Sequence, residues 1–132
     1  MIVCSHLKRS IESAKILTEK DILLSDEIFR EAVLPSSNLT YPRLNTMTWF
    51  FIFRSLWLFG YAKNGESIAA TRKRAKLSAD KLIEIAKQHD DLLFVGHGFI
   101  NHFISKELKR RGWKGPKKSA HEHWEYSRYE SY

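Results

Sequence analysis

The sequence predicts an α/β fold, a three-layer sandwich with a mostly parallel sheet, on three observations. Short apolar runs of strand length alternate with longer segments whose apolar residues recur at helical spacing. One of these runs, Leu92 to Val95, breaks at Gly96-His97-Gly98, and Ile100, Phe103, Ile104 and Leu108 then mark one face of a helix. No repeat or low-complexity tract interrupts the pattern, so residues 1–132 read as a single domain, long enough to bury a real core.

Met1 to Cys4 is a strand, apolar from its first residue. Ser5 is placed to cap a helix that carries Leu7, Ile11, Ala14 and Leu17 on one face and ends near Lys20. Ile22 to Leu24 is a second short strand. Phe29-Arg30-Glu31 follows, then a loop with Pro35 and Pro42 up to Thr46. Thr48 to Tyr61, TWFFIFRSLWLFGY, is the most apolar stretch; it falls short of the ~20 residues a bilayer span requires. It reads as a helix lying over the core, with lining a pocket, meeting a partner or resting on a membrane surface as other uses for its aromatic rings.

Gly65-Glu66-Ser67 opens a long helix to about His89, with Ala75, Ala79, Leu82 and Ala86 on its buried face. Arg72, Lys73, Arg74 and Lys76 stand near its start, where cations oppose the helix dipole; an anionic contact is one explanation and a solvated surface the commoner one. After the last helix, Lys106 to Lys118 is basic around Trp113, and the tail from His121 to Tyr132 alternates aromatic and polar residues as an edge strand does.

The composition, 43% hydrophobic and 28% charged, is that of a soluble globular protein. The single cysteine, Cys4, excludes an internal disulfide and fits a reducing, cytoplasmic setting, and the N-terminus does not resemble a signal peptide. A net charge of +7 favours anionic partners: phosphorylated small molecules, phosphoproteins or nucleic acid. Nucleic-acid binding through residues 106–118 ranks last, because no nucleic-acid fold signature accompanies the charge.

Three pieces converge if the strands run parallel, since ligands of open α/β sheets gather at the carboxyl ends of strands. They are Ser5 to Arg9, Glu31 and the turn at His97. Arginine offers a planar fork to phosphate oxygens, histidine a donor near neutral pH, and glutamate a proton for a leaving oxygen. The bland reading of His97 is a residue that merely caps a helix at a glycine-lined turn. His6 lies near the convergence at a helix start. His121 and His123 share a strand face at i, i+2 spacing and lack a third ligand to make a metal site.

In these residues the chain resembles the histidine phosphatase superfamily, the phosphoglycerate mutase-like phosphatases. Ser5-His6-Leu7-Lys8-Arg9 with Ser13-Ala14 is similar to the S-x-L-x-R motif and its small-residue pair. Arg30-Glu31 and Leu34-Pro35 resemble the acid-bearing loop. Gly65-Glu66-Ser67 with Arg74 resembles the G-E-S helix start, and Val95-Gly96-His97-Gly98 the V-x-H-G turn. The order is the family's, over nearly the whole chain. The resemblance implies phosphomonoester or phosphohistidine hydrolysis without metal or cofactor. In it Arg9 binds the phosphoryl group and Glu31 is the general acid or base. His97 binds phosphate and stabilises the transition state, and Ser5 and Gly98 supply further phosphate contacts.

The family's nucleophile is a different histidine, in an R-H-G motif ending its first strand, and no Arg-His-Gly occurs in this sequence. The chain is therefore expected to be an N-terminally truncated piece of a longer phosphatase, a natural shortened form being the other reading. Little or no turnover is expected of it. A non-catalytic phosphate-binding or protein-interaction module is the alternative function. An uncovered strand edge and the aromatic helix are expected to promote self-association.

Overall fold

The computed structural model describes residues 1–35, 42–120, 122 and 124–131. Its regular elements are β1 (Ile2–Ser5), α1 (Lys8–Leu17), β2 (Leu24–Asp26), a single 3₁₀ turn (Glu27–Phe29), α2 (Thr46–Leu58), α3 (Ile68–Ala86), β3 (Leu93–Val95) and α4 (Gly98–Arg110). The chain divides into two compact units, residues 1–31 with 74–132 and residues 32–73.

The larger unit holds the sheet. Its order is β2-β1-β3 and both pairings are parallel, with Val3 opposite Leu24 and Phe94. β1 is the middle strand and all four of its residues are buried. Side chains alternate across a strand, so β1 feeds two cores. Ile2 and Cys4 meet Ala14 and Ile11 of α1, with Ile22 and Val95. Val3 faces the other way, onto Phe29, Ala75, Ala79 and Leu82 of α3 and Ile100, Ile104 and Leu108 of α4. Helices thus cover both faces of a parallel sheet: an α/β three-layer arrangement. Each large side chain buried here, Phe29 or Ile100 for instance, contributes roughly 1.5–3 kcal/mol.

Three expectations shift. The second strand is Leu24–Asp26 and not Ile22 to Leu24: Leu23 N–H already donates to Ile2 O of β1 at 2.9 Å, and from there the register runs on through polar Ser25 and Asp26. Ser5 is the last strand residue rather than a helix cap. The N-cap of α1 is Leu7, which has no side-chain cap bond, and α1 stops at Leu17. The tail is not an edge strand among the described residues: it makes one antiparallel bridge, Lys114 to Glu130, and Tyr129 Oη donates to Ser105 Oγ at 2.8 Å. His121 and His123, the candidate metal pair, lie outside the described residues.

In the smaller unit, α2 covers the aromatic stretch two residues earlier than expected, capped by Asn45 Oδ1, which accepts from Thr48 N–H at 2.7 Å. Ser67 Oγ accepts from Ala70 N–H at the start of α3. No helix of the described residues is long and apolar enough to cross a membrane.

Candidate phosphoryl-binding site

The carboxyl ends of all three strands lie in the larger unit, and the polar residues just past them form one cluster. β1 pairs Cys4 with Val95, the last residue of β3, so the segments that carry His6 and His97 leave the sheet at the same edge. On the other side Ser5 is opposite Asp26, and His6 N–H donates to Asp26 O at 3.3 Å. Ser5 itself is fully buried; its Oγ accepts from Leu7 N–H at 3.3 Å and its carbonyl accepts from Ser25 Oγ. Its hydroxyl is engaged in the turn into α1.

His97 occupies the N-cap of α4 through its backbone. Its N–H donates to Asn101 Oδ1 at 3.2 Å while its carbonyl accepts from Asn101 N–H at 2.8 Å. That reciprocal clasp needs a glycine before it: a Cβ on Gly96 would collide with Asn101 Oδ1 and the Phe94 ring. The imidazole is therefore not the cap. It is buried, and its Nε2 has no hydrogen-bond partner. Burial holds the His97 pKa below the ordinary 6.5, the Arg9 charge lowers it further, Glu31 acts in the opposite sense, and His6 adds a smaller lowering. That shift favours the uncharged ring at neutral pH. Gly98 is exposed, with open space where a side chain would stand.

Glu31 reaches the same helix start from the other direction. Its Oε1 accepts from Ile100 N–H at 3.1 Å and its Oε2 from Phe99 N–H at 3.3 Å. The favourable seat for an anion at the start of α4 is thus held by a carboxylate of the chain itself. The segment carrying Glu31 is fixed from below by one face of α3. Arg74 Nη1 donates to Ile28 O at 2.9 Å and to Arg30 O at 2.6 Å, and Ser78 Oγ donates to Ile28 O at 3.1 Å. Lys81 pairs with Asp26. The Ile28 N–H first and then the Lys81 ammonium hold the Asp26 carboxyl below its usual 3.8. Arg74, Ser78 and Lys81 are four and three residues apart, one side of a helix. The cation at Arg74 near the start of α3 serves backbone carbonyls of its own chain, a use that charge counting does not distinguish from an external anion.

Arg9, in the first turn of α1, is exposed and close enough to His97 to act on its charge. The structure therefore brings Arg9, Glu31 and His97 to one place, with His6 beside them. Asn101 and Asp26 belong to the same cluster and were not singled out from the sequence. Asn101 sits four residues after His97, a spacing that marks a side chain able to reach back to a helix cap. Elsewhere, two cations of the basic stretch are committed internally: Arg111 pairs with Asp80 at 2.7 Å and Glu107 at 2.6 Å, and Arg110 with Glu107 at 3.0 Å.

This geometry can be set beside known proteins. The profile of the histidine phosphatase superfamily (branch 1) matches residues 1–132. None of the curated proteins matches the chain. Among solved structures, the product of open reading frame Rv3214 from Mycobacterium tuberculosis is similar in fold. The TM-score is 0.53 at 24% identity, over 83% of this chain and 53% of that one. The chain thus spans about half the length of that protein. A profile match that runs the full length of the sequence, on an α/β fold shared with that structure, decides the family: the chain belongs to the histidine phosphatase superfamily, branch 1.

Proposed function

We propose that this chain binds the phosphoryl group of a phosphomonoester or phosphohistidine at the carboxyl ends of β1 and β3. Arg9 and His97 are the ligands and Glu31 the proton donor. The observation that carries the reading is the buried His97 Nε2 with no partner, in a cluster that also holds an exposed arginine. A buried polar atom without a partner costs free energy that a ligand oxygen recovers. An uncharged imidazole in its Nε2–H tautomer donates to such an oxygen, and Arg9 offers a planar, permanently charged fork. The open space at Gly98 lets an oxygen approach the backbone there.

Glu31 enters the chemistry through competition. A phosphoryl dianion and a carboxylate repel when both sit at one helix start, so arrival of the first favours a Glu31 carboxyl that leaves the Phe99 and Ile100 amides and turns toward the ester. A protonated carboxyl beside the ester is what a leaving oxygen requires. Ser5 is a weaker ligand in this reading, since its hydroxyl already accepts from Leu7 N–H.

Hydrolysis through a phosphohistidine also needs an attacking imidazole, and the sequence contains no Arg-His-Gly. A second reading, a domain that binds phosphate and turns over little, is favoured by the Glu31 carboxylate being already held by the Phe99 and Ile100 amides. Both readings are tested by titrating inorganic phosphate while following the imidazole nitrogens of His97 by NMR. Saturable shifts at His97 Nε2, weakened about tenfold or more in Arg9→Ala, are expected. No response at His97 would remove the site. Turnover of an aryl phosphate separates the two readings: near-background rates fit the binding domain. Robust rates lost in His6→Ala would make His6 the nucleophile.

A further inference from the structure

The smaller unit, residues 32–73, carries a surface that the phosphoryl reading does not use. Met47, Phe51, Arg54 and Leu58 follow i, i+4, i+7, i+11 and so form one stripe along α2. Met47, Phe51 and Leu58 are 64%, 63% and 54% exposed, and Phe50 on the flank is 43%. The opposite side of the helix is held down. Trp57 is buried and its indole N–H donates to Glu66 O at 2.6 Å, and half-buried Trp49 stacks on Phe53. The helix ends where Gly60, at φ +98°, lets its own N–H reach Trp57 O and Tyr61 N–H reach Leu56 O. That turn leaves Phe59 91% exposed.

The charged residues of this unit are nearly all of one sign. The only acidic residue in the sequence from 32 to 73 is Glu66, against Arg43, Arg54, Lys63, Arg72 and Lys73. Arg43 and Lys63 are exposed just before and just after the helix. A second copy packed face to face would set these cations against their own equivalents. The complement is a surface apolar below and anionic above, the headgroup boundary of an anionic bilayer. At 13 residues α2 is about 20 Å long and too short to span the hydrocarbon core, so it lies in the plane.

We infer that α2 docks on anionic membranes, inserting Met47, Phe51, Leu58 and Phe59 while Arg43 and Lys63 meet lipid phosphates. The test uses the full chain with vesicles of phosphatidylcholine alone and of phosphatidylcholine mixed with phosphatidylglycerol, read by co-sedimentation. Binding about tenfold or more stronger to the mixed vesicles, with loss at high salt, is expected. Arg43→Glu and Lys63→Glu each weaken it about fivefold or more. Phe51→Glu and Leu58→Glu abolish it with an unchanged far-ultraviolet spectrum, since both side chains already face solvent. If that double variant does not fold, Phe59→Asp, outside the helix, reports instead and is expected to weaken binding. Equal binding to both vesicle types, or none, overturns the inference. So does a wild-type dimer that ignores vesicles and becomes a monomer in Phe51→Glu, which assigns the stripe to a second copy.

Discussion

Helices α1 and α4 both begin just past the carboxyl end of a strand, one after β1 and the other after β3, yet their first turns are satisfied differently. At α4 the amides of Phe99 and Ile100 hold the Glu31 carboxylate, and Asn101 clasps the backbone of His97. At α1 the N-cap is Leu7, which offers no side-chain acceptor, the first turn has no acidic residue, and Lys8 and Arg9 oppose the helix dipole. One start carries an anion of the chain's own; the other keeps a cation pointing outward. The pair teaches where stability and the proposed binding part company: α4 is closed for the resting fold, while α1 leaves an exposed cation that the proposed phosphoryl site would use.

The contrast depends on Glu31 being delivered to α4, and Arg74 is the strongest tether of its segment. Arg74→Ala removes charged donors from two carbonyls and is expected to cost about 2–3 kcal/mol in urea unfolding. It is also expected to loosen amide-exchange protection at Phe99 and Ile100. Glu31→Ala frees the amides directly and should cost about 1–2 kcal/mol, while inorganic phosphate should recover part of that loss in the variant more than in the wild type. An equal phosphate response in both would mean that the two anions do not share a seat.

A smaller effect follows from His97. Its pKa is lowered in the fold, so the unfolded chain takes up the proton first. The stabilisation is complete above the ordinary 6.5 and is lost as pH falls through that value toward the lowered folded one. His97→Asn is expected to flatten the stability profile across that window in parallel urea titrations. The smallest change makes α1 resemble α4: Leu7→Ser supplies the missing cap and should gain about 0.5–1 kcal/mol in thermal unfolding. A loss there would show that the Leu7 side chain contributes more by packing than a cap returns.

The turn from β3 into α4 was legible because its signals are local: an apolar run, two glycines, then helical spacing. The buried faces of α3 and α4 were legible for the same reason, whereas on α1 Ala14 is buried as expected but Leu17 is exposed and Ser10 is buried instead. β2 was misplaced because its ladder runs through Ser25 and Asp26, polar residues that an edge strand tolerates and a hydrophobic pattern overlooks. Ser5 has the chemistry of a cap, and only its pairing with Asp26 of β2 shows it to be strand. Arg9, Glu31 and His97 were named from sequence. That Glu31 fills the anion seat of α4 was not, because it is a contact between residues far apart in the chain.

The order of the sheet also bears on how it closes. β1 receives its first neighbour within a few turns of chain, through α1 and β2, while its second is β3, and Met1 and Ile2 bond to residues at the far end of α3's trailing loop. The second pairing closes the longer loop and so carries the larger chain-entropy cost, which makes it the long-range contact of folding within this segment.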